Sequence, residues 1–138
     1  MYNYAINPFL YLPIRCDMIE KAIYNWRKNM KKKIFIDGSE GTTGLRIHER
    51  FEGRDDVELL SISQELRKDA AERARLINAS DITFLCLPDA AAREAVAMVE
   101  NENVHMIDTS TAHRTEAGWA YGFPELSTTH REAIRTGK

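Results

Sequence analysis

Ile34-Phe35-Ile36-Asp37-Gly38-Ser39-Glu40-Gly41-Thr42-Thr43-Gly44 is the stretch that decides the fold. A short apolar run ends in an aspartate, three glycines follow at spacings of three, and a helical pattern then runs from Thr43 to Phe51. A glycine-rich turn between a first strand and a helix is the setting of a dinucleotide loop. One glycine allows the tight turn, one lets the backbone approach a pyrophosphate, and one lets the helix pack on the sheet, while the free N–H groups of the helix start face the anion. Gly38, Ser39, Gly41, Thr42, Thr43 and Gly44 are therefore candidate cofactor-binding residues, with hydroxyls as added donors. The spacing is G-x-x-G-x-x-G rather than the more familiar G-x-G-x-x-G, and Glu40 must point outward because a carboxylate disfavours a neighbouring phosphate. The competing reading is a tight strand-to-helix turn with no ligand.

Downstream the pattern alternates. Val57 to Ser61 reads as a second strand, Arg67 to Asn78 as a helix with Ala70, Ala74 and Ile77 on one face, and Ile82 to Leu87 as a third strand closed by Pro88 and Asp89. Ala92, Val96 and Val99 mark a third helix, Met106 to Asp108 a fourth strand, and a last helix is expected from about Thr128. Strands alternating with helices predict an α/β fold, a Rossmann-like doubly wound parallel sheet.

The end of the second strand carries the next signal. An NAD enzyme usually places a carboxylate about 20 positions beyond the glycine loop, for the ribose 2′-hydroxyl. Here the chain reads Ser61-Ile62-Ser63-Gln64, with Arg67 and Lys68 behind. Hydroxyls and cations suit a 2′-phosphate, so Ser61, Ser63, Arg67 and Lys68 are candidate cofactor contacts and NADP(H) is the expected cofactor. The alternative for Arg67 and Lys68 is the solvated start of an amphipathic helix.

Composition narrows the class. The 138 residues are 43% hydrophobic, enough for one ordinary core. Nineteen basic and 21 acidic side chains are dispersed, so no basic block favours nucleic acid. Phe9 to Leu12, between Pro8 and Pro13, is too short for a membrane span and has no basic segment before it, and no export signal is expected. Cys16 and Cys86 lie far apart in unlike contexts, which suits a reducing, cytoplasmic setting, and no metal set is expected. Residues 1–29 hold six of the twelve aromatics and none of the seven glycines. They are read as an extension separate from a domain at 30–138. Asp17 followed by Ile19, Ala22, Ile23 and Trp26 suggests a short amphipathic helix there. An accidental extension upstream of Met30 is favoured over a docking helix.

Two further stretches are specific: Ile107-Asp108-Thr109-Ser110-Thr111-Ala112-His113-Arg114, and Trp119-Ala120-Tyr121-Gly122-Phe123-Pro124-Glu125-Leu126. Together with the glycine loop and Leu85-Cys86-Leu87-Pro88-Asp89, in this order, they resemble the shorter, second type of N-acetyl-gamma-glutamyl-phosphate reductase, from Met30 to Lys138. The resemblance implies NADPH-dependent reduction of N-acetyl-glutamyl 5-phosphate to the 5-semialdehyde, a step of arginine biosynthesis. It also implies a homo-oligomer in which a second α/β domain carries catalysis and dimer contacts. It matches Leu87 and Pro88 to a loop along the cofactor, and Ser110, Thr111, His113 and Arg114 to a loop beside the substrate. Arg114 is the best candidate for an anionic group, the alternative being a structural pair with Asp108 or Glu116.

The family's reaction runs through a cysteine thiolate in a Pro-Gly-Cys turn and a later histidine. By the resemblance both lie beyond Lys138, so no catalytic residue is expected within the chain and the fragment alone is expected to be inactive. Cys86 is expected to sit inside an apolar strand as inert packing. The rival readings are a fragment of a related semialdehyde dehydrogenase, with the same loop and cysteine chemistry, and a non-catalytic nucleotide-binding module.

Overall fold

A computed structural model describes residues 31–136. The expected helix after Asp17, together with Cys16 and Met30, lies outside the described residues. Four strands and four helices alternate: β1 (Lys32–Asp37), α1 (Thr42–Phe51), β2 (Val57–Leu60), α2 (Ala70–Ala79), β3 (Ile82–Leu85), α3 (Asp89–Ala97), β4 (His105–Asp108) and α4 (Thr128–Thr136). The strands form one parallel sheet in the order β2-β1-β3-β4. The chain moves from β1 to β2 on one side, then crosses back to place β3 on the other, so the order reverses at β1. This is the switch point where α/β folds open a crevice beyond the carboxyl ends of the strands.

Register assigns the two faces. Phe35 lies opposite Thr83 and Asp37 opposite Leu85, so these four point one way; Ile34, Ile36, Ile82 and Phe84 point the other. Phe35, Thr83 and Leu85 have no exposed surface, and the first and last of these pack with Leu76 and Ile77 of α2 and Ala92 and Ala95 of α3. The opposite face meets α1 through Phe51, whose ring lies 5.7 Å from that of Phe84. Helices on both faces make the sheet doubly wound, as the strand pattern predicted.

Buried polar groups are matched. Thr83 and Ser80 share a hydroxyl hydrogen bond of 2.7 Å. Asn78 donates to the Ala74 and Met98 carbonyls and accepts from the N–H groups of Glu100 and Asn101, which ties the end of α2 to the loop before β4. Among the described residues no buried side-chain nitrogen or oxygen lacks a partner, as a native interior requires.

Three expected boundaries need correction. The second helix starts at Ala70, not Arg67, because the Asp69 carboxylate accepts from the Glu72 N–H at 2.8 Å and caps it. Residues 63–69 instead form turns closed by Leu66 N–H to Ser63 and Asp69 N–H to Leu66. The third strand ends at Leu85 rather than Leu87, and the second at Leu60 rather than Ser61. Cys86 thus lies past its strand and is only partly buried.

Candidate functional site

The loop after β1 and the loop after β3 meet at the switch point. Gly38 takes φ +87°, a left-handed conformation, and a Cβ placed there would lie 2.3 Å from the Cys86 carbonyl oxygen. Only a bare backbone fits between the two loops. Gly44 serves packing: a Cβ on it would lie 2.3 Å from the Gly38 carbonyl and 2.7 Å from the Ser39 Cα. Gly41 caps α1 in an extended conformation with no side-chain hydrogen bond at the cap. The first-turn N–H groups, which have no intrahelical acceptor, remain available to an anion.

A cleft of about 350 Å³ opens over this floor, bounded by Gly38 to Gly41, the turn carrying Gln64, Arg67 and Lys68, and Cys86 and Leu87. Of the residues picked out from the sequence, Gly38, Ser39, Gly41, Arg67, Lys68 and Leu87 come together there. Thr42 and Thr43 are exposed on the first turn of α1, and Gly44 is buried beneath the loop. Ser61 and Ser63 are exposed after β2, and Pro88 caps α3. None of these last six lines the cleft.

Charge in the cleft is arranged in two pairs. Asp37 and Arg73 form a buried ion pair, with Arg73 Nη2 donating to Asp37 Oδ2 at 2.8 Å and Nε to the same oxygen at 3.1 Å. Sequence reasoning missed this pair. Its one signal was an aspartate ending a strand with an arginine on the following inward helix face. Glu40 accepts from Arg67 and from Gln64 Nε2 at 3.3 Å. It is half-exposed, and it engages the cation that the sequence assigned to a phosphate.

Cys86 also lines the cleft, which corrects the expectation of a residue inside a strand. Burial pushes its thiol pKa up; a hydrogen bond from Thr109 works the other way, and the carboxylates of Asp37 and Asp108 add to the rise. A raised pKa favours the protonated thiol, the weaker nucleophile, over the thiolate.

The loop after β4 is organised by the Asp108 carboxylate, which the sequence offered only as a structural partner for Arg114. Asp108 accepts from the Ser110 N–H at 2.9 Å, the Ser110 hydroxyl at 2.8 Å and His113 Nδ1 at 2.7 Å. Asp-x-Ser at a strand end is the turn signal that pointed to it. His113 is buried and stacks on Trp119, with ring centroids 4.3 Å apart. Thr111 turns instead to Asp89, donating its N–H at 3.1 Å and its hydroxyl at 2.6 Å, and these bonds lower the Asp89 pKa.

Arg114 forms no ion pair among the described residues, because Asp108 is occupied by Ser110 and His113 and Glu116 bonds to Arg93. Both structural partners considered for Arg114 are therefore engaged elsewhere. Ser110, His113 and Arg114 border a larger cavity of about 680 Å³, bounded also by β4, the Trp119–Phe123 segment and Ile134. The two cavities share no lining residue. The larger one is the outer side of β4; the glycine loop and basic turn belong to the smaller.

A parallel sheet with its glycine loop at the switch point, a helix start without a side-chain cap and cations at the rim define a dinucleotide-binding α/β domain. The chain belongs to the family described as semialdehyde dehydrogenase, NAD binding domain, which matches residues 29–136. It is similar to an N-acetyl-gamma-glutamyl-phosphate reductase of Trichormus variabilis, 59% identical over 104 residues that make up 75% of this chain and 32% of that protein. A protein of the same name from a Chelativorans species is 55% identical over 109 residues, 79% of this chain and 35% of that protein. The chain spans about a third of the length of the curated relatives it matches. Among the described residues no helix is long and apolar enough to cross a membrane.

Proposed function

We propose that residues 30–138 are the cofactor-binding part of an NADP-dependent N-acetyl-gamma-glutamyl-phosphate reductase, with residues 1–29 an extension to it. The enzyme reduces N-acetyl-glutamyl 5-phosphate to the 5-semialdehyde with release of phosphate, and is a cytoplasmic homo-oligomer acting on a small molecule in arginine biosynthesis. The observation that carries this reading is the convergence of the glycine loop and the Gln64–Lys68 turn on one cleft at the switch point. Reductases at 55% and 59% identity support the activity.

The residues present fit a dinucleotide. Gly38 leaves room for a pyrophosphate to approach the backbone, and the start of α1 offers N–H donors to it. Arg67 and Lys68 lie at the cleft as cations for a phosphate on the adenosine ribose. When bound, the nicotinamide supplies hydride. Ser39 adds a hydroxyl and Leu87 an apolar wall at the cleft itself, while Thr42, Thr43, Ser61, Ser63 and Pro88, which do not line it, are proposed to meet the bound dinucleotide from its margins.

On the substrate side, Ser110, Thr111, His113 and Arg114 are proposed to hold the acyl phosphate. Asp108 fixes the His113 ring and the Ser110 hydroxyl, while Arg114 is left to meet a carboxylate or phosphate with its planar fork. The test is titration of the 138-residue chain with NADPH and NADH. Changing Arg67 and Lys68 to alanine is expected to weaken NADPH about tenfold or more, the loss of one to two charge-assisted bonds, and to leave NADH nearly unchanged. Equal weakening of both would refute the assignment of this pair to the 2′-phosphate.

A further inference from the structure

We propose that Glu40 is a specificity-determining residue, an internal competitor that occupies Arg67 until a ligand phosphate displaces it. The proposal rests on the nucleotide reading above and deepens it. Glu40 stands in the glycine loop itself, between Gly38 and Gly41, and reaches across to the turn that follows β2. Its two carboxylate oxygens are divided, one accepting from Arg67 and the other from Gln64. Both ends of this bridge border the cleft, and the side chains are about half-exposed, 47% for Arg67 and 51% for Glu40.

Charge shows why the bridge matters. Asp37 and Glu40 face Arg67, Lys68 and Arg73 around the cleft, which leaves a net single positive charge. Arg73 is held by Asp37 in a buried, bidentate pair with little freedom to turn outward. Arg67 is held only by an exposed carboxylate, and such pairs are weak and easily exchanged. A phosphate dianion offers the guanidinium more charge and more acceptor oxygens than Glu40 does, so it can take over the pair.

A ligand without the 2′-phosphate has nothing to offer Arg67. Glu40 stays paired and its charge stays cancelled. With a 2′-phosphate bound, Glu40 is released to solvent and its negative charge opposes the nearby phosphates. Glu40 thus lowers affinity for the phosphorylated dinucleotide through Arg67 and hardly affects the unphosphorylated one. The sequence alone marked Glu40 as a residue that must point away; in the fold it points along the loop to the cation the ligand needs.

The experiment is calorimetric titration of the full chain with NADPH, NADH and adenosine 2′,5′-bisphosphate. It uses the wild type, Glu40→Gln, Arg67→Met and the double variant. Glutamine keeps the size of the side chain and its contact with Gln64, and both positions are exposed, so folding is preserved; circular dichroism of each chain verifies this. Glu40→Gln is expected to tighten NADPH and the bisphosphate roughly three- to fivefold, the scale of an exposed ion pair, with NADH within about 1.5-fold on the same scale. In the Arg67→Met background Glu40 is unpaired with either ligand, so the same change is expected to shift NADPH and NADH alike and the selective tightening of NADPH is lost. Equal tightening of NADPH and NADH in both backgrounds overturns the proposal, because Glu40 would then act directly on the pyrophosphate. Weakened NADPH binding by Glu40→Gln also overturns it, because the carboxylate would then hold Arg67 ready for the ligand. Absence of nucleotide binding in all four chains refutes the cofactor reading itself, a result distinct from either of these.

Discussion

Replacing Gly38 by alanine tests whether the floor of the cleft requires a bare backbone. Two costs act together. The residue has φ +87°, and a non-glycine residue in the left-handed region loses about 1–2 kcal/mol. The new Cβ would also lie 2.3 Å from the Cys86 oxygen, 3.0 Å from its carbonyl carbon and 3.2 Å from Leu87 Cδ2. The two closest of these atoms are backbone, so no side-chain rotation relieves the clash. The ends of β1 and β3 must part by roughly 1 Å, against the Cys86 N–H to Asp37 carbonyl bond of 2.8 Å, at an overpacking cost of about 1–3 kcal/mol. The expected loss is about 2–5 kcal/mol. Gly53 supplies the control: it has φ +75° and an added methyl there would meet nothing within 4 Å, so Gly53→Ala carries the backbone cost alone. Gly44→Ala carries the contact without that backbone conformation, offset by about 1 kcal/mol of helix propensity. Urea unfolding followed by far-ultraviolet circular dichroism reads all three, and NADPH titration reads the cleft. If Gly38→Ala and Gly53→Ala lost the same stability, the close approach of the two loops would be wrong.

Three other outcomes are expected. Arg73→Met should lose about 3–5 kcal/mol by stranding the Asp37 carboxylate in the interior, whereas Asp37→Leu with Arg73→Met should recover much of it; equal loss in both urea curves would contradict a buried pair. In a Cys16→Ser chain, Cys86 should alkylate more slowly with iodoacetamide at about pH 7.5 than a solvent thiol. Because burial raises its folded pKa, the thiolate appears only as pH climbs past the ordinary thiol range, and any stability linked to the protonated thiol is lost in that same direction. A solvent-like rate at that pH would show the thiol to be unshielded. Asp108→Asn should cost about 1.5–3 kcal/mol by removing a charged acceptor of three bonds, and should alter Trp119 fluorescence in a Trp26→Phe chain as the His113 stack loosens; unchanged emission would mean the stack does not depend on that carboxylate.

The alternation of strands and helices, the parallel doubly wound class and the glycine loop were legible in the chain itself. Each rests on local rules: apolar periodicity, the backbone freedom of glycine, and capping by a residue next to the helix it starts. Boundaries were less legible. The helix pattern ran back to Arg67 because arginine and lysine fit a helix as well as a turn, and only the Asp69 cap set the start at Ala70. That shift of three residues puts Arg67 and Lys68 at the cleft rather than on a solvated helix face. Pairings between polar groups distant in sequence were scarcely legible. Asp37 with Arg73, Glu40 with Arg67 and Asp89 with Thr111 are separated by 36, 27 and 22 residues. Sequence determined that a glycine loop would end the first strand and that cations would follow the second. Which carboxylate holds which cation was decided only by the crossover at β1, because Coulomb and hydrogen-bond energies depend on distance in space, and the sheet order sets that distance.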